Sequence, residues 1–315
     1  MKETNLRIGP SYELRFDPES RRAVSFGSNI SVWNLNTHQR LVRARPLAHP
    51  DHVRWSPGGD VLTVKSTSGE LIIVSAQTLE TVARLQTKKA GEGCEAVFSP
   101  SGDRILDGTW GGMLATYDVA SQTRQLEHSF ASAMITGIEP SPSGNISAVI
   151  VQPKSSAELP PGPQHSVYIA EWLPSGLALR TIDVKFHTIK ATAFDRNEDR
   201  LAIIRDNGAF PGGSIEVIDV RDGHTISFRA CVLSPNGSSI CWSPDGGVIG
   251  TVENDGFRFY DAPSLEEIAY EPWKYPSHIE FSRDGTYLAF GAWSGGEIRS
   301  ADSVLHKGSA QILAM

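Results

Sequence analysis

WSPDG, residues 242–246, is five residues of turn chemistry. Ser243 can bond back to the backbone, Pro244 presets φ at the second turn position and Gly246 closes the fourth, the marks of a type I turn. One such turn decides nothing. Its echoes do: FDPES (16–20), WSPGG (55–59), FSPSG (98–102), PSPSG (140–144), FDRNE (194–198) and FSRDG (281–285) repeat it through the chain. Successive copies start 39, 43, 42, 54, 48 and 39 residues apart. Seven units in 315 residues average 45, which is the spacing of propeller blades.

The residues around each turn share one grammar. In 238–272, Ile240 and Trp242 alternate with polar neighbours before the turn, Val248 to Val252 follow it, Asn254-Asp255-Gly256 signals a hairpin, and Phe257 to Tyr260 resume. A weaker outer strand then runs through Ile268 and Tyr270. Third strands such as LIIV (71–74) are apolar on both faces, as sheets sandwiched between neighbours require. Ser264 and Glu267 mimic a helix capping box, but the repeat reads Ser264 to Tyr270 as a turn plus an outer strand. The expected fold is all-β: one seven-bladed β-propeller of four-stranded antiparallel blades over 1–315, at roughly 9–48, 49–90, 91–130, 131–184, 185–232, 233–273 and 274–315. Either Thr4 to Ile8 or Ala310 to Ala314 supplies the outer strand of blade 7.

The third-strand ends SVWNLNT (31–37), ATYDVAS (115–121), EVIDVRD (216–222) and RFYDAPS (258–264), with the turns and the period, make the chain resemble a divergent WD-repeat family member. Asp118, Asp219 and Asp261 match the family's Asp position, and Asn34 replaces it once. No blade has the family's Gly-His dipeptide at its usual distance, and no literal Trp-Asp pair occurs, so the family's Asp–His network is not expected here. The resemblance implies a protein-interaction module or scaffold.

Composition is that of a soluble globular domain, 40% hydrophobic and 21% charged. Cys94, Cys231 and Cys241 cannot all pair and lack CxxC spacing, so neither a disulfide framework nor a cysteine zinc site is expected. No apolar h-region and no long apolar span points to secretion or to a membrane. The reading is a cytoplasmic monomer. A net charge of −7 argues against nucleic acid, although residues 1–55 carry nine Lys/Arg against five acids.

Catalytic signals are thin. Ala292-Trp293-Ser294-Gly295-Gly296 sits in a hairpin rather than a nucleophile elbow, and His49-Pro50-Asp51-His52 lacks a third ligand nearby in sequence. No cofactor, metal or catalytic residue is expected. The innermost strands nonetheless carry polar residues at alternate positions: Glu13 and Arg15, His52 and Arg54, Glu95, Glu139, His278 and Glu280. Lining a channel, they serve either a hydrolase or lyase, with acid–base chemistry or a held cation, or as Arg–Glu ties between blades.

Loops separate the two faces of the disc. The turns of the WSPDG type are short, whereas Pro153 to His165, Asp206 to Gly213 and Ala230 to Ser239 all lengthen the opposite face. Long loops on a rigid scaffold are where binding residues concentrate. The candidate partner-binding residues there are Trp110, Phe186, His187, Phe210, Trp273, Tyr275 and Trp293, some of which would cap the core between blades instead. Pro160-Pro161-Gly162-Pro163 reads as a stiff loop or a docking segment. A dedicated inhibitor or immunity-type partner of one protein is a further reading of the same surface.

Overall fold

The computed structural model describes residues 5–85, 94–154, 165–186, 188–208 and 211–305. Seven four-stranded antiparallel sheets succeed one another along the chain, each a blade of a β-propeller. Blade 1 runs outward through Glu13–Phe16, Arg22–Phe26, Ile30–Asn34 and Gln39–Ala44. Blades 2 and 3 run from Pro50–Trp55 to Thr81–Leu85 and from Val97–Phe98 to Arg124–Ser129. Blades 4, 5 and 6 run from Ala133–Pro140 to Gly176–Phe186, from Thr188–Phe194 to Thr225–Val232, and from Ile240–Trp242 to Glu267–Pro272. Glu267–Pro272 is a strand, so the capping-box resemblance at Ser264 gives no helix.

The repeated turn has a physical reason. In all seven copies its second residue, Ser or Asp, accepts the backbone N–H five residues on: Asp17 from Arg22, Ser56 from Val61, Ser99 from Arg104, Ser141 from Ile146, Asp195 from Arg200, Ser243 from Val248 and Ser282 from Tyr287. All seven side chains are buried, where a polar group must be hydrogen-bonded. The fifth residue of each copy closes the turn in the left-handed region, with φ of 71–76° at Gly59, Gly102, Gly144, Gly246 and Gly285.

The leading aromatic joins blades. Trp55 Nε1 donates to the Arg15 carbonyl of blade 1 and Trp242 Nε1 to the Ala193 carbonyl of blade 5, both at 3.0 Å. Arg22 and Arg200 lie over these two rings at 4.8 and 5.2 Å while donating to Asp17 and Asp195 of their own turns. Turn acid, arginine and the next blade's tryptophan thus form one chain of contacts, charge-assisted at one end and cation–π at the other.

The core is divided the same way, into seven apolar clusters of which each joins residues of two neighbouring blades. Leu71 to Val74 are buried throughout, which is what packing on both faces requires. The ring closes through the N-terminus. Blade 7 consists of Pro276–Phe281, Tyr287–Ala292 and Gly296–Ser300, and its outer strand is Leu6–Ile8, with Leu6 opposite Ile298 and Ile8 opposite Gly296. Of the two closing segments the sequence left open, the N-terminal one holds the place; Ala310 to Ala314 lie outside the described residues. A single helical turn at 301–305 follows, burying Ala301 and Val304 against the core of blades 6 and 7.

Candidate functional site

Strand direction alternates, so loops leading into the inner strands share a face with the hairpins between second and third strands. On that face, at the junction of blades 6 and 7, lies a cleft of about 520 Å³ lined by Asn236, Asn254, Asp255, Trp273, Lys274 and Tyr275, among others. Tyr275 is 48% exposed and Trp293 51%. The two are joined by the backbone, Trp293 N donating to the Tyr275 carbonyl at 3.2 Å, and Trp293 Nε1 donates to the Asn236 carbonyl at 3.3 Å. Tyr12 packs edge-on against Trp293 with ring centroids 4.3 Å apart.

Tyr275 holds a left-handed backbone, φ 58°, uncommon for a bulky residue. Pro276, which opens the inner strand, favours extended backbone at the residue before it, so Tyr275 departs from that preference, and Ser294 Oγ donates to the adjacent Lys274 carbonyl at 2.6 Å. Lys274 Nζ lies 5.0 Å from the centre of the Tyr275 ring.

The other predicted residues scatter. Trp273 stacks on Phe290 at 5.7 Å and meets Phe257 edge-on at 5.6 Å, so it walls the cleft from a half-buried seat in the core. Trp110 is 38% exposed in the hairpin of blade 3, across the ring. Phe186 is described only through its backbone, as the end of strand Gly176–Phe186, and His187 and Phe210 lie outside the described residues. So do residues 155–164 of the blade 4 loop, with Pro160 to Pro163. Sequence reasoning missed Tyr12, whose signal was its place one residue before the blade 1 inner strand. It also missed Ile226, Phe228 and Val232, exposed along the outer strand of blade 5.

The channel is built by position. Three residues before the turn's leading residue stand Glu13, His52, Glu95 and His278; one residue before it stand Arg15, Arg54, Glu139 and Glu280. The residues between are core, with Leu14, Val53, Ile138 and Ile279 buried. Blades 5 and 6 supply only Ala191, Ser239, Ala193 and Cys241 at these places. Arg15 of blade 1 meets Glu13 at 3.1 Å, Glu280 of blade 7 at 2.9 Å and Glu95 of blade 3 at 3.5 Å. Arg54 of blade 2 meets Glu95 at 3.1 Å and Glu139 of blade 4 at 2.8 Å.

Burial and charge divide these carboxylates. Burial opposes the ionisation of Glu95, yet Arg54, His52 and Arg15 hold it at about 2. Burial dominates at Glu139 and raises its pKa despite Arg54. Burial, then Arg15 and Arg54, keep His278 well below the usual imidazole value, while Glu95 and Asp51 overcome burial and raise His52. A pair of carboxylates pushed apart is an acid–base signature. Here, however, the same nitrogen, Arg54 Nη2, lies between Glu95 and Glu139 and bonds both. The geometry is that of a tie across the channel.

No family model matches the chain, and no curated protein matches it. Solved structures do. One is hydrazine synthase of Kuenenia stuttgartiensis, with a TM-score of 0.74 at 13% identity over 93% of this chain and 96% of that one. Another is the β-propeller domain of Cps50 (Swd1) from Myceliophteria thermophila, with a TM-score of 0.72 at 14% identity over 94% of this chain and 99% of that one. At such identities the likeness is one of fold, and the fold is the seven-bladed β-propeller.

Proposed function

We propose that this propeller is a protein-interaction scaffold of the WD-repeat kind, binding its partner on the face that carries the blade 6–7 cleft. The observation that carries the reading is the exposed aromatic group Tyr12, Tyr275 and Trp293 beside that cleft. Large aromatics held by a rigid frame are the usual anchors of protein interfaces, since they bury much area at little entropic cost. Tyr275 sits there at positive φ, a backbone strain that persists only where the surroundings over-determine it. The divergent repeat pattern adds the WD-repeat likeness, although Asp118, Asp219 and Asp261 bond within their own turns, to Ser121, Arg221 and Ser264.

The test is affinity purification of the tagged full chain, followed by calorimetry with the protein recovered. Tyr275→Ala and Trp293→Ala are expected to weaken binding by about 2 kcal/mol or more each. Ser101→Ala and Asp284→Asn, on the opposite turns, should leave it unchanged. The reverse pattern would put the interface on the other face.

A further inference from the structure

We propose that Glu13, His52 and Glu95 form a binding site for one divalent transition-metal ion, of the zinc class, in the channel layer nearer the cleft-bearing face. These residues stand at the same place in blades 1, 2 and 3, three before the turn motif, so the repeat itself brings them to one level. One ligand atom from each lies within 4.8 Å of the others. A four-coordinate zinc with bonds of about 2.0–2.2 Å holds its donors roughly 3.4 Å apart, so the three side chains need close in by at most about 1.4 Å.

The imidazole is set up as a ligand. His52 Nε2 faces Asp51 Oδ2 at 3.1 Å, and a carboxylate on one ring nitrogen fixes the other as the lone-pair donor. That other atom, Nδ1, is buried, has no hydrogen-bond partner among the described residues, and points toward Glu95 at 3.9 Å. His278, in the same layer on blade 7, differs: its Nδ1 accepts the Leu14 N–H at 3.5 Å, which leaves Nε2 protonated and excludes it as a ligand. Its buried Nε2 has no hydrogen-bond partner among the described residues.

Charge points the same way. Glu13, Glu95, Glu139 and Glu280 surround only two guanidiniums, Arg15 and Arg54, and a dication balances the excess. The arginines hold Glu13 through Oε2 and Glu95 through Oε1, one oxygen of each carboxylate. A mixed nitrogen and oxygen set with a single imidazole suits zinc or its first-row neighbours better than calcium or magnesium, which take oxygen cages.

The experiment is calorimetric titration of chelator-treated full-length protein with zinc at neutral pH, with melting curves in parallel. Wild type should take up one zinc, with a rise in melting temperature. His52→Gln and Glu13→Gln should each weaken binding at least about 100-fold, and Asp51→Asn about 10- to 100-fold. X-ray absorption of the zinc-loaded wild type should show one imidazole. The cluster of buried Asp219 with exposed Asp222 and His224 is the control, and Asp222→Asn/His224→Gln should bind as wild type does. His52→Gln leaves the arginine ties intact; should it fail to fold, Glu13→Gln and Asp51→Asn decide. Zinc uptake by folded channel variants equal to wild type, loss only in the Asp222/His224 variant, or no uptake by wild type would overturn the site.

Discussion

His165, buried at the start of the blade 4 third strand, accepts the Ile189 N–H on Nδ1 at 3.1 Å and so joins blade 4 to blade 5 as a neutral ring. Burial first, and Lys190 second, hold its pKa at about 4 instead of the ordinary 6.5. Between those values the unfolded chain binds a proton that the folded chain refuses, so this contribution is complete above about 6.5 and is lost as the pH falls toward 4. Protonation also destroys the acceptor that Ile189 uses. Glutamine keeps an acceptor and does not titrate, so His165→Gln is expected to flatten the fall of melting temperature across that window. An unchanged slope would assign the acid sensitivity elsewhere. Nothing in the sequence marked His165, because a lone histidine carries no pattern. Glu13, His52, Glu95 and His278 were legible, since their alternation along inner strands shows without coordinates. Their pairing was not, because Arg15 to Glu95 and Arg54 to Glu139 each skip a blade, and only the ring's curvature brings them together.

The turn was legible in full because its chemistry is local. The Ser or Asp acceptor meets its backbone partner five positions on and the left-handed residue closes the turn between them, so seven imperfect copies suffice to reveal one element. That element's energetics can be separated. The Cβ of Gly246→Ala would meet nothing within 4 Å, so only its φ of 76° matters. The left-handed conformation costs an alanine roughly 1–2 kcal/mol, and the variant should lose about that much in denaturant unfolding. Ser282→Ala removes the acceptor of the Tyr287 N–H at a buried site and should lose about 1–3 kcal/mol. Equal stability of both variants with wild type would mean the turns are passive connectors. The face at the other end of the blades was only partly legible. Tyr275 and Trp293 stand exposed as expected, yet Trp273 is drawn into the stack with Phe290. These three aromatics look alike in a sequence, and neighbouring-blade packing alone sorts the exposed rings from the one drawn into the core.

The molecule as a whole is a chain of seven similar interfaces, and its weak point is the place where the ends meet. Six blades take all four strands from one continuous segment; blade 7 takes its outer strand from residues 6–8. Pattern could not choose the closing end, since both termini offered a short apolar run: the C-terminal one would pair with its own neighbour in sequence, whereas the N-terminal one pairs across nearly the full length of the chain. The ladder is only three residues long, from Leu6 opposite Ile298 to Ile8 opposite Gly296. Burial compensates, as Leu6 and Ile8 are each 5% exposed and pack with Leu14, Leu35 and Ile298 in the cluster between blades 7 and 1. Fully burying two such side chains contributes roughly 1.5–3 kcal/mol each. Removing residues 1–8 should therefore cost about 3 kcal/mol or more and expose the edge of Gly296–Ser300, an unpaired strand open to association with other copies. The expected outcome is a lower melting temperature with concentration-dependent aggregation in light scattering. Leu6→Ala/Ile8→Ala, which keeps the backbone ladder, should reproduce the stability loss without the aggregation. A deletion as stable and monodisperse as the full chain would mean that the ring is held closed by the inner strands and the channel ion pairs, and that the N-terminal strand only covers an edge already secure.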